Sequence, residues 1–236
     1  MNESLKIAVC GDVHAEYGAF NRFIGKLDAD IILQVGDLGY WPRWTPKMWW
    51  PQRHRPKAIP TIKSPKTKIY FCDGNHEDHA TLQALPKPEI FPNVFYMKRG
   101  SIMTLPDGRN ILFMGGANSY DKEDRTCGID WFPQENITYE ELERIPKDTR
   151  IDIVISHTCP QHFDIEHMLK RKTIQYGRVA DSNREILSHI LKEFRPKLWY
   201  FGHWHVYATG FTMECRWIAL DRIMGGNPWW KILDKA

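Results

Sequence analysis

Residues 200–207 read Tyr-Phe-Gly-His-Trp-His-Val-Tyr, so His203 and His205 stand one residue apart behind a glycine, where an apolar run ends. In an extended segment residues i and i+2 point to the same side, so both imidazoles face one location and Trp204 faces away. Two convergent neutral imidazoles can hold a transition metal ion. The same spacing also fits two hydrogen-bonded core histidines, and the pair alone does not choose between them.

Four further runs end in the same kind of residue. Lys-Ile-Ala-Val-Cys (6–10) is followed by Gly11-Asp12-Val13-His14, and Ile-Ile-Leu-Gln-Val (31–35) by Gly36-Asp37. Lys-Ile-Tyr-Phe-Cys (68–72) is followed by Asp73-Gly74-Asn75-His76-Glu77, and the run ending at Ile155 by Ser156-His157. The candidates are Asp12, His14, Asp37, Asn75, His157, His203 and His205: two carboxylates, one amide and four imidazoles. One zinc ion takes about four protein ligands, or three when catalytic. The set is therefore too large for one ion and fits two ions sharing a bridging carboxylate. Nitrogen and oxygen donors without thiolate suit manganese, iron or zinc better than calcium or magnesium.

These residues need elements that bring them together. The apolar runs at 6–10, 31–35, 68–72, 111–115, 151–156 and 197–201 are short and rich in β-branched and aromatic residues, as buried strands are. Helical patterns lie between several of them. Residues 15–27 carry Phe20, Phe23, Ile24 and Leu27 on one face. Residues 181–194 start at Asp181 or Ser182 as N-cap, and Thr138 with Glu141 forms a capping box for a short helix over 138–144. Segments 94–105 and 206–220 read as turn-separated strands. The expectation is one α/β domain over 1–236, partly antiparallel, with no internal repeat. In open α/β sheets ligands bind outside the carboxyl ends of the strands, where all five clusters lie.

The ordered set Gly-Asp-x-His, Gly-Asp, Gly-Asn-His-Glu, a lone histidine after a strand, and Gly-His-x-His resembles the calcineurin-like metallophosphoesterase superfamily. The motifs run from residue 11 to 205 and so span most of the chain. The resemblance implies a four-layer α/β/β/α sandwich of two mixed sheets flanked by helices, with a dinuclear site at the strand ends. By position, Asp12, His14 and His205 bind one metal, Asn75, His157 and His203 the other, and Asp37 bridges. The cofactors expected are two divalent transition metal ions, manganese first, with iron or zinc as alternatives. The resemblance implies that the bound ions would activate water for in-line attack on phosphorus, and makes His76 the candidate to protonate the leaving oxygen, with a packing role as the alternative. Glu77 is expected to be structural. Asp73 and Asp152 are candidates to accept from the second nitrogens of the ligand imidazoles.

Residues 40–66 form an insertion directly after the Gly36-Asp37 corner. It holds Trp41, Trp44, Trp49 and Trp50, six prolines, and seven Lys or Arg with no acid. Aromatic rings among basic groups can stack a base and attract phosphate; equally, the tryptophans can pack on the core. Residues 115–135 contain Gly-Gly-Ala-x-Ser-x-Asp-x-x-x-Arg, which resembles a bacterial and phage branch of the superfamily. Arg125 is the candidate to bind a substrate phosphate oxygen, with a salt bridge inside the loop as the alternative. The protein serine/threonine phosphatases carry Asp-Arg-Gly just after the second motif, where this chain has Leu38-Gly39-Tyr40. A phosphodiesterase on small or cyclic nucleotides is thus the leading function. Phosphomonoesterase or protein serine/threonine phosphatase is the alternative, and nuclease comes third.

A formal net charge of +3 over 236 residues does not ask for nucleic acid as the main partner. No apolar stretch approaches the roughly 18 residues of a membrane span. The N-terminus has no signal-peptide pattern, which makes the cytoplasm the default location. The five cysteines are widely spaced, without Cys-x-x-Cys, and read as reduced thiols rather than a disulfide framework. The remaining histidines, His54, His79, His162, His167 and His189, fall outside the pattern. His79 and His162, near the motif loops, are the two that could touch substrate.

Overall fold

The structure is a computed structural model that describes residues 5–43, 61–166, 169 and 181–234. Two six-stranded mixed sheets form its centre. The first is built from β1 (Ile7–Cys10), β2 (Ile31–Gln34), β3 (Lys68–Phe71), β4 (Glu89–Phe91), β5 (Val94–Tyr96) and β12 (Trp230–Ile232), in the order β12-β1-β2-β3-β5-β4. The second contains β6 (Ser101–Thr104), β7 (Asn110–Met114), β8 (Ile153–Ser156), β9 (Leu198–Phe201), β10 (Ala208–Thr212) and β11 (Cys215–Ala219), ordered β10-β11-β9-β8-β7-β6. In each sheet the four inner strands are parallel and the two edge strands antiparallel.

Side-chain alternation sorts these strands into layers. Ile7, Val9, Leu33, Ile111, Phe113, Ile153, Ile155, Tyr200 and Ile218 meet between the sheets. Ala8, Cys10, Ile32, Ile69 and Phe71 point the other way, against Phe20 and Ile24 of α1 (Tyr17–Lys26). Leu112, Val154, Trp199 and Phe201 face Ile186, Leu187, Ile190 and Leu191 of α4 (Ser182–Phe194). Strands β1, β8 and β9 are buried on both faces, which is why they read as continuous apolar runs. Each fully buried Leu, Ile or Phe side chain contributes roughly 1.5–3 kcal/mol of transfer free energy.

The helix signals hold locally. Asp181 caps α4 by accepting from the Asn183 backbone N–H at 2.9 Å. Thr138 and Glu141 form the expected capping box on α3 (Tyr139–Glu143). No sequence pattern marked α2 (His79–Gln83), capped by Asp78, or β12 in the C-terminal tail. There Trp229 packs on Phe23 with ring centroids 4.5 Å apart, while Trp230 to Ile232 add an edge strand to β1. Four of the five cysteines are buried and Cys127 is exposed. No described helix is long and apolar enough to cross a membrane.

Candidate metal centre

All seven candidate ligands sit in the loops that leave β1, β2, β3, β8 and β9, at the carboxyl end of both sheets. Two glycines set how closely those loops approach. A Cβ on Gly202 would overlap the Asp12 carboxylate, and one on Gly74 would overlap that of Asp37. His14, Asp37, His203 and His205 are themselves left-handed, with φ of 48°, 53°, 66° and 50°. Non-glycine residues rarely adopt that region, and each costs of order 1–3 kcal/mol unless its surroundings hold it.

Two groups share Asp37. Asp12 Oδ2 lies 3.1 Å from His205 Nε2 and 3.7 Å from His14 Nε2, and the two Nε2 atoms are 2.9 Å apart. On the other side Asn75 Oδ1 lies 3.0 Å from His157 Nε2 and 3.1 Å from His203 Nδ1. Asp37 Oδ2 stands between them, 3.6 Å from His14 Nε2 and 3.3 Å from His157 Nε2. Asp12, His14 and His205 offer donor atoms within 4.8 Å of one another, as do Asp12, Asp37 and His157. A third such trio is His14, Asp37 and His76.

The placement of protons shows why this cluster fits cations. His157 Nδ1 faces the Val35 carbonyl at 3.0 Å, so its proton goes there and its Nε2 lone pair faces two oxygens. His203 Nε2 is buried with no hydrogen-bond partner among the described residues. The set is nitrogen and oxygen only, held at contact distance with too few protons to satisfy it. Protonation or a cation resolves that mismatch. Accordingly, burial works to lower the His157 pKa, but the Asp37 and Asp12 carboxylates push it up to about 10. Burial lowers His14 to about 4, against the pull of Asp37 and Asp12. Asp37 is held well below the usual carboxylate range; its burial is outweighed by His157, His76 and His14.

Asp73 and Asp152 do not accept from the ligand imidazoles. Asp73 is fully buried in an ion pair with Arg99 and also accepts from Tyr96 Oη at 3.1 Å. Asp152 binds the Asn110 backbone N–H at 2.9 Å and Arg150 at 2.6 Å. Proximity in sequence misled here because Asp73 turns toward Arg99 and Asp152 stands before β8, at the opposite end of the sheet from His157. Glu77 holds two corners together, accepting from the Gly39 backbone N–H at 3.2 Å and the Gly74 N–H at 2.8 Å.

His76 lies beside the cluster, its ring centroid 5.1 Å from that of His14. Arg125 Nη2 is 2.9 and 2.8 Å from the two His76 ring nitrogens, and it pairs with Asp121 at 2.7 Å. Arg125 thus makes the loop salt bridge, the alternative role for it, and its guanidinium stands next to His76 at the cluster. His79 is buried beside Asp73 and Phe132 and is a core residue. His162 contacts Ser188 at 3.2 Å, and His189 packs near Tyr139. Of the 40–66 insertion, residues 44–60 lie outside the described residues, as do His54 and His167. Trp41 is buried against Phe132, and residues 61–63 are tied to α1 by the Asn21 amide.

Sequence reasoning missed Ser119 and Glu135. Asn75 Nδ2 donates to Ser119 Oγ at 3.1 Å, and both Ser119 Oγ and its backbone N–H donate to Glu135, at 2.5 and 2.7 Å. Burial raises the Glu135 carboxyl above its ordinary value, against the pull of these Ser119 hydrogen bonds. The usable signal was the position of Ser119 inside the Gly-Gly-Ala-x-Ser run.

A model of the calcineurin-like phosphoesterase family matches residues 5–207. The chain is similar to a lariat debranching enzyme of Gallus gallus, 22% identical over 191 residues, which is 70% of this chain and 35% of the relative. It therefore spans about a third of that protein's length. Among solved structures, protein TT1561 of Thermus thermophilus matches with a TM-score of 0.53 and 11% identity, over 93% of this chain and 90% of that one. This last likeness is one of fold.

Proposed function

The chain belongs to the calcineurin-like phosphoesterase family, a family of metal-dependent phosphoester hydrolases, and on that premise we propose a phosphodiesterase acting on small nucleotide esters. The observation that carries the reading is the convergence of seven donor side chains from five strand ends on two overlapping groups sharing Asp37. Asp12, His14 and His205 would hold one divalent ion, Asn75, His157 and His203 the other, and Asp37 both, with manganese the first candidate. When bound, such a pair supplies charge neutralisation at the phosphoryl oxygens and activation of water.

The remaining steps belong to the protein. The His76 backbone N–H holds Asp37 Oδ1 at 2.8 Å and so fixes the bridging carboxylate. The His76 imidazole borders the cluster without being among the seven, and it hands a proton or hydrogen bond to the leaving oxygen. Arg125 Nη2, against the same ring, adds positive charge where negative charge develops. The diester preference draws on Leu38-Gly39-Tyr40 standing where protein phosphatases have Asp-Arg-Gly.

A hydrolysis panel tests this. Manganese-loaded protein should cleave bis-p-nitrophenyl phosphate and cyclic nucleotides faster than p-nitrophenyl phosphate or a phosphopeptide. A preference for the monoesters would replace the diester reading, and inactivity on all four would remove the phosphoesterase reading.

A further inference from the structure

We propose that Glu135 and Ser119 are positioning residues that decide which end of the Asn75 amide faces the metal centre. The inference rests on the reading of Asn75 as a cation ligand. An amide is ambiguous: its oxygen can bind a cation, its NH2 cannot, and the two ends have nearly the same shape. Something must select the end.

Counting protons along the chain supplies the selector. An ionised carboxylate only accepts, so Glu135 gives nothing to Ser119. Glu135 Oε1 is engaged by the Ser119 backbone N–H at 2.7 Å and Oε2 by the Ser119 hydroxyl at 2.5 Å. The hydroxyl has one proton, and that bond uses it. Toward Asn75, Ser119 Oγ can then only accept. Asn75 must present Nδ2 to it, at 3.1 Å, and Oδ1 is left facing His157 and His203. All three residues are buried, with 5% or less of their surface exposed, so water cannot easily substitute for a member of the relay. Glu135 is itself fixed from outside the relay. Arg99, paired with Asp73, donates to the carbonyl oxygens of Gln134, Glu135 and Asn136 at 2.9, 3.0 and 2.7 Å.

The polarity of the relay, rather than its shape, is what can be tested. In Glu135→Gln the new NH2 can donate to Ser119 Oγ. The hydroxyl is then free to donate to Asn75, which turns the NH2 of Asn75 toward the cluster. Ser119→Ala removes the relay, and Ser119→Thr retains it. Manganese binding would be followed by isothermal titration calorimetry and by electron paramagnetic resonance, which separates a coupled ion pair from a single ion. Asn75→Ala serves as the reference, and the melting temperature of each ion-free variant reports folding.

Glu135→Gln and Ser119→Ala should weaken one of the two ions by roughly 10- to 100-fold, the usual effect of removing a partner of a metal ligand. In both variants the coupled signal should give way to a single-ion signal, whereas Ser119→Thr should keep the coupled signal. If Asn75→Ala loses one ion while Glu135→Gln and Ser119→Ala bind both with unchanged affinity, the relay has no such role. Equal weakening of both ions in those two variants would also overturn it. If Asn75→Ala itself keeps both ions, the ligand assignment fails, and the inference with it.

Discussion

The His76 backbone N–H donates to Oδ1 of Asp37 at 2.8 Å, which leaves Oδ2 toward His14 and His157. One carboxylate is thereby divided between a fixed oxygen and a working one. Asp37→Asn keeps the size but puts an amide against two imidazoles. We expect manganese affinity to fall more than the roughly 100-fold upper end seen for outer partners. Calorimetric titration checks this, and near-native affinity would show that Asp37 does not bridge.

His76→Asn should bind two manganese ions like the unmodified chain and lose roughly 10²- to 10⁴-fold in kcat, the range of a positioned acid. The loss should be largest for esters with poor leaving groups. Full turnover on an alkyl ester would assign the proton to another group.

Acid sensitivity should include a contribution from Asp78. Burial would raise its pKa, but the Arg43 ion pair and the Thr81 hydrogen bonds hold it below the ordinary carboxylate value. A depressed folded pKa gives stability that is present above the unfolded value, about 3.9, and is lost as pH falls below it. Arg43 is more than half exposed, so the ion pair adds little, and Asn caps a helix about as well as Asp; what Asp78→Asn removes is the negative charge at the cap, about 0.3–1 kcal/mol. Urea unfolding at pH 3 to 7 should show Asp78→Asn less stable above pH 4, with the gap closing below. A gap that does not change with pH would refute this.

Arg99→Met should be among the more damaging single changes outside the cluster. It strands the fully buried Asp73 and three carbonyls. Removing one partner of a buried pair typically costs 3–5 kcal/mol. Denaturant unfolding reads the loss directly, and a loss under 1 kcal/mol would mean that water replaces the guanidinium.

Much of the site was legible because its ligands follow the strands whose apolar runs are easiest to see. Once β1, β2, β3, β8 and β9 are placed, Asp12, His14, Asp37, Asn75, His157, His203 and His205 must lie at their ends. What could not be read is what depends on side-chain direction. Asp73 follows β3 yet points toward Arg99, while the partner of His157 is a backbone carbonyl, that of Val35, which no sequence pattern marks. Ser119 and Glu135 escaped because a relay of three hydrogen bonds joins loops far apart in the chain. The edge strand β12 was hidden by its length, three residues, and by an exposed face.

His205 keeps 40% of its side chain in solvent while His157 keeps none. The two halves of the cluster therefore differ in how readily a competitor can reach them. A hydrophilic chelator should strip the Asp12–His14–His205 half first, leaving a long-lived protein with one ion. Stopped-flow removal by EDTA should then run in two phases of unequal rate, whereas a single phase would indicate that both halves let go together.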